Sequence, residues 1–257
     1  MEAETPPRGP ASVSPSGMFR LRDAVWLLAA YIGVQLVAVA AYGLFLFVRF
    51  GAAETRALIT SADGLNRLAV IGGVACSIAV LALLWRIARR QGLTWRDLGF
   101  VATSARWIWI TVAVFLAARA VSTGFTYIAG DEIAEQSLQT MTGVTSSDPR
   151  WNALSVLLFV LVVPVLEELI FRVMFFRALV ARLPVLAAAT LSVALFVAMH
   201  VQYTLAGGAV AVLMTAEVTL LGAALMWLYV KSGSIWPPIA VHVANNGFAF
   251  LVLLTVF

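Results

Sequence analysis

The chain has 257 residues, of which 62% are hydrophobic and only 12% charged, and its mean hydropathy is +0.96. An ordinary soluble domain carries roughly 25% charged residues, so this composition cannot clothe a water-soluble core and excludes a soluble globular enzyme. The net charge of +4 comes almost wholly from arginine; with no basic stripe interleaved with exposed aromatics, it points to membrane-flanking loops and not to nucleic acid.

In chain order, residues 1–23 hold Arg8, Arg20 and Arg22 among Pro, Ser and Ala and contain no apolar run, which predicts a flexible cytoplasmic tail. The run Ala24 to Val48 reaches the roughly 20 residues that a helix needs to cross the hydrocarbon layer. Its Ala38-Val39-Ala40 triplet mimics a cleavage site, but it sits in mid-run and favours an uncleaved first helix. Further helices are predicted near 68–88, 107–129, 153–181, 185–203, 209–230 and 236–256. Pro184, Gly207-Gly208 and the turn Ser232-Gly233-Ser234 punctuate them. The expected fold is all-α, a polytopic transmembrane helical bundle of about seven to eight membrane helices forming one domain over 24–257. Cys76, the sole cysteine, lies in a span and reads as a core residue. Gly92 to Gly99 reads as a short interfacial helix.

Loop charges orient the bundle. Arg86, Arg89, Arg90, Arg96 and Arg106 face Asp97 alone in one loop, whereas Asp131, Glu132, Glu135 and Asp148 face Arg150 in the next. The positive-inside rule makes the first loop cytoplasmic and the second external, with the amino terminus inside a cell membrane and the carboxy terminus outside. The loop carrying Arg49, Arg56 and Arg67 argues weakly the other way.

Ionisable side chains inside a bilayer cost a few kcal/mol each and are functional candidates. Here they are Arg119, Glu167, Glu168, Arg172, His200, Glu217 and His242, and the two histidines are the only ones in the chain. Glu168 and Arg172 are four apart and can neutralise each other. Glu167 lies about 100° further round the helix and is free to face another neighbour. A hairpin at Pro184 brings His200 level with Glu167, and His242 shares a helix face with Asn246. These groups predict a site about 10 Å below the cytoplasmic surface. Arg119 and Glu217 read as a mutual pair or as locally satisfied polar groups.

Glu167-Glu168-Leu169-Ile170-Phe171-Arg172 resembles the EExxxR motif of the CAAX prenyl protease and bacteriocin-processing (CPBP, or Abi) family of intramembrane endopeptidases. Phe196 to His200 resembles its FxxxH motif and His242 to Asn246 its HxxxN motif. KSGSIWPP at Lys231 to Pro238 and GLTWRDLGF at Gly92 to Phe100 are similar to segments of the same family, with the catalytic core at about 150–250. The resemblance implies hydrolysis of a peptide bond in a membrane-associated or lipidated protein or peptide. It implies Glu167 as the base that activates water, His200 as its partner on that water, and His242 and Asn246 as oxyanion donors. Glu168 and Arg172 then support Glu167, and Phe196 packs the pocket. No cofactor is expected; the alternative is a zinc ion on Glu167, His200 and His242, although no HExxH pair is present. Two other readings are an ion-coupled transporter using Glu167, His200 and Glu217, which lacks a repeated pair of broken helices, and a catalytically silent scaffold.

Overall fold

The computed structural model describes residues 19–140 and 146–256, and among these the regular structure is all helical. The helices are α1 (Leu21–Phe50), α2 (Ala52–Thr60), α3 (Ala62–Gln91), α4 (Arg106–Ala129), α5 (Asp131–Thr140), α6 (Pro149–Val180), α7 (Val185–Ala198), α8 (Val201–Leu205), α9 (Gly208–Ser232) and α10 (Trp236–Val256). Six of them, α1, α3, α4, α6, α9 and α10, are long and apolar enough to cross a membrane, and α7 is a shorter apolar helix. The polytopic all-α bundle expected from composition is the observed fold. The expected tail lies outside the described residues as far as position 18, and α1 begins at Leu21.

A helix surrounded by lipid satisfies its own backbone and shows apolar side chains outward. Leu36, Val37, Phe45 and Val48 on α1 and Leu186 on α7 are exposed in this way. The centre of the bundle is α6, whose residues 169–176 are buried on every side, as expected of a helix apolar all round. Small residues let its neighbours close in. A side chain at Gly73 of α3 would put its Cβ 2.6 Å from Leu158 of α6, and one at Gly222 of α9 would stand 3.0 Å from Phe196 of α7. Polar ties fix the end of α3 against α6: Asn66 donates to Ser155 at 2.9 Å, and Asp63 accepts from Ser146 and Ser147. Cys76 is buried in α3.

Three segments differ from expectation. Gly92 to Gly99 forms turns and not an interfacial helix, because Asp97 accepts from the Thr94 N–H at 2.7 Å and from its hydroxyl at 2.6 Å. Such local side-chain bonds compete with a helical ladder, and they hold the Asp97 carboxyl below the usual carboxylate range. The expected helix 185–203 ends at Ala198, with a break at Met199–His200 before α8. The loop after α1 contains α2, a short helix that the polar sequence of 52–60 did not signal.

The turn at 92–99 is also a collar. Gly99 has φ +87°, a left-handed conformation suited to glycine, and its carbonyl accepts from the Ile235 N–H at 2.9 Å at the start of α10. Ser234 donates to the Val101 carbonyl at 2.6 Å, Phe100 meets Trp236 edge to face, and Arg177 of α6 donates to the Asp97 carbonyl. Gly99→Val imposes strain of about 1–2 kcal/mol and is expected to lower the melting temperature of the detergent-solubilised protein. Ala102→Val, three residues on and exposed, is expected to leave it unchanged.

Candidate active site

The site is built on irregularities in α6. Its α-helical turn Val163–Glu168 lies between two wide π-helical stretches, Val156–Val162 and Leu169–Phe176, a distortion frequent at functional sites. Pro164 has no N–H to give. The Val163 N–H already bonds the Leu158 carbonyl five residues back, so the next carbonyl in that wide ladder, Phe159, would need the missing proline hydrogen. Asn246 of α10 supplies it, its Nδ2 donating at 3.0 Å. The side-chain oxygen of Asn246 accepts from Asn245 at 3.4 Å, and one amide hydrogen is left uncommitted.

Glu167 and Glu168 are both buried, and their surroundings differ. Glu168 Oε1 stands 3.1 Å from Arg172 Nη1 and 2.9 Å from His242 Nδ1. A carboxylate only accepts, so Nδ1 carries the ring proton and Nε2 faces away from Glu168. Arg172, itself fully buried, donates its other terminal nitrogen to the Gly222 carbonyl at 3.3 Å and lies 4.5 Å from the centre of the Phe196 ring. Glu168 therefore holds Arg172, as the four-residue spacing predicts, and also clamps a histidine from another helix. Glu167 has no guanidinium beside it. Its Oε1 accepts from the Tyr31 hydroxyl at 2.9 Å and its Oε2 lies 3.6 Å from His242 Nε2, a separation too long for a strong hydrogen bond.

His200 sits at the break after α7, with non-helical backbone angles. Its N–H bonds the Val197 carbonyl, which strands the Phe196 carbonyl one residue earlier, and the His200 ring takes that carbonyl through Nδ1 at 2.8 Å. Nε2 is left as the open position. His200 makes no hydrogen bond or ion pair to Glu167 among the described residues. The link runs through Phe196, whose ring centre lies 4.7 Å from that of His200 and 5.8 Å from that of His242. Phe196 is fully buried and packs the site as the sequence implies.

Among the described residues, no three of His, Cys, Asp and Glu converge as a metal-ligand set. Glu167, His200 and His242 are not grouped as three ligands of one ion in this arrangement. Arg119 and Glu217 lie apart from the site. Glu217 accepts from Ser122 at 2.6 Å, and Arg119 packs over the Phe248 ring with no carboxylate within ion-pair distance among the described residues; Glu217 is satisfied locally. Sequence reasoning missed Tyr31. A tyrosine inside an apolar span carries no periodic or charge signal, and its hydroxyl was the only hint.

Residues 149–248 match the family model described as type II CAAX prenyl endopeptidase, Rce1-like. The match takes in the three motifs and Pro164 and leaves out Tyr31. Neither the curated proteins nor the solved structures give a match.

Removing the guanidinium leaves Glu168 buried with only an imidazole beside it. Arg172→Ala is expected to lose about 3–5 kcal/mol of stability, read as a lower melting temperature in detergent. Arg172→Lys keeps the charge but loses the planar stack on Phe196 and is expected to fall between the two.

Proposed function

We propose that this chain, whose residues 149–248 form an Rce1-like type II CAAX prenyl endopeptidase domain, hydrolyses a peptide bond in a membrane-associated or lipidated protein with water activated by Glu167. The single observation that carries the reading is the unequal environment of two adjacent buried carboxylates. Glu168 is neutralised by Arg172 and committed to His242, whereas Glu167 is left with a tyrosine hydroxyl on one oxygen and an imidazole edge near the other. An acid and a base role separate when neighbouring groups are given different surroundings.

In this reading Glu167 takes a proton from a water that His200 Nε2 also accepts from, and the hydroxide forms a bond to the scissile carbonyl carbon. The uncommitted Asn246 amide hydrogen faces the developing oxyanion, a contribution of roughly 3 kcal/mol per donor in other enzymes, and His242 adds a second donor through Nε2 when its ring is the imidazolium, with Nδ1–H held by Glu168. Collapse breaks the carbon–nitrogen bond as Glu167 returns the proton to the leaving nitrogen. Tyr31 is a positioning residue: by occupying Oε1 it turns Oε2 toward His242. No step in this scheme passes through a metal ion. The substrate enters from the bilayer of the cell membrane, and the amino terminus of the chain is cytoplasmic.

Membranes holding the intact chain and membranes holding Glu167→Gln are expected to differ in protein fragments found only with the former, at equal amounts of folded protein. Loss of a general base lowers turnover by about a hundredfold or more. On a peptide spanning such a cleavage point, purified enzyme is expected to keep its activity after exhaustive chelation. Loss on chelation with recovery on zinc return would show that the nucleophilic water depends on an ion and would sink the metal-free scheme.

A further inference from the structure

We infer that the groove between the arginine-bearing ends of α1 and α3 binds the phosphate headgroup of an anionic phospholipid. A cavity of about 260 Å³ opens there, lined by Arg22 of α1 and Arg86 and Arg90 of α3. Its apolar wall is Trp26, Leu83 and Ile87. The one carboxylate in it, Asp23, is already engaged: Oδ2 accepts from Gln91 at 2.7 Å, and Arg22 Nε stands 3.8 Å from Oδ1. Arg86 and Arg90 have no acidic partner among the described residues.

Two like charges four apart on one helix repel each other, and a third arginine faces them across the groove. An anion between them removes that repulsion. Guanidinium forks match the oxygens of a phosphate and bind it through paired hydrogen bonds. The groove lies at the ends of two membrane-length helices, and Trp26 and Trp85 beside it are 61% and 63% exposed, the placement of indoles at headgroup level. A basic pocket between spans at that depth selects anionic headgroups, and the apolar wall gives the first part of an acyl chain a surface to follow. A free phosphate shares the headgroup chemistry but has no use for that wall.

The test is native mass spectrometry of the full chain released from detergent, offered phosphatidylglycerol or phosphatidylcholine, with inorganic phosphate as competitor. Phosphatidylglycerol is expected to be retained above phosphatidylcholine and to survive the phosphate. Arg86→Gln/Arg90→Gln is expected to lower that retention roughly twenty-fivefold, at about fivefold per surface arginine. Arg49→Gln, at the far end of α1, is expected to leave it unchanged. All three arginines are exposed, so the variants leave the core intact. Equal retention of the two lipids, or full retention by the double variant, would overturn the site. Displacement by inorganic phosphate would overturn the lipid assignment in favour of a free anion.

Discussion

The buried contact between Arg172 and Glu168 governs the rest of the structure. Neither side chain is more than 1% exposed, and 3.1 Å separates them. Two charges this far from water must answer one another, and each still has hydrogen-bonding capacity that other groups must meet. Arg172 meets part of its share through the Gly222 carbonyl and the face of Phe196, and Glu168 Oε1 through His242, whereas Arg172 Nε and Glu168 Oε2 stay buried without a hydrogen-bond partner. One ion pair on α6 thus fixes the positions of α7, α9 and α10. Gly222 is part of the same constraint, since a side chain there would push Phe196 off the guanidinium.

The other site residues are placed by backbone groups that irregular helices leave unpaired. A carbonyl at membrane depth has no water to turn to. Pro164 strands Phe159, and Asn246 answers; the break at His200 strands Phe196, and the His200 ring answers. In both cases the contact that satisfies the backbone also orients the side chain and leaves one polar atom open. The open positions are the second Asn246 hydrogen and His200 Nε2. Preorganised groups of this kind need no rearrangement when charge develops, which is where electrostatic catalysis gains most.

The spans were legible because apolar length is a direct consequence of bilayer thickness, and the Glu168–Arg172 pair because four residues make one turn. The contact that holds His200 was not, since it depends on the chain breaking at Met199 and freeing the Phe196 carbonyl. Pro164 was visible in the sequence, but the wide ladder that makes it strand Phe159 is a tertiary outcome of the packing of α6. The 92–99 segment read as a helix by its apolar spacing, whereas Thr94, Asp97 and the positive φ of Gly99 decide for a turn. Tyr31 escaped notice for a different reason: α1 carries no charge or motif near it, and only the fold brings it to Glu167. Placement of the individual groups therefore depended on local backbone events more than on the pattern of apolar residues.

If the Arg172–Glu168 pair serves mainly to aim His242 at Glu167, removing both members separates folding from turnover. Replacing both members of a buried ion pair with apolar residues of similar size is often neutral or stabilising. Glu168→Leu/Arg172→Leu should therefore melt near the temperature of the unsubstituted protein and yet cleave its peptide at least about a hundredfold more slowly, because His242 has lost the carboxylate on Nδ1. A double variant that melts normally and cleaves at the unsubstituted rate would show that His242 needs no carboxylate on Nδ1 to act at Glu167.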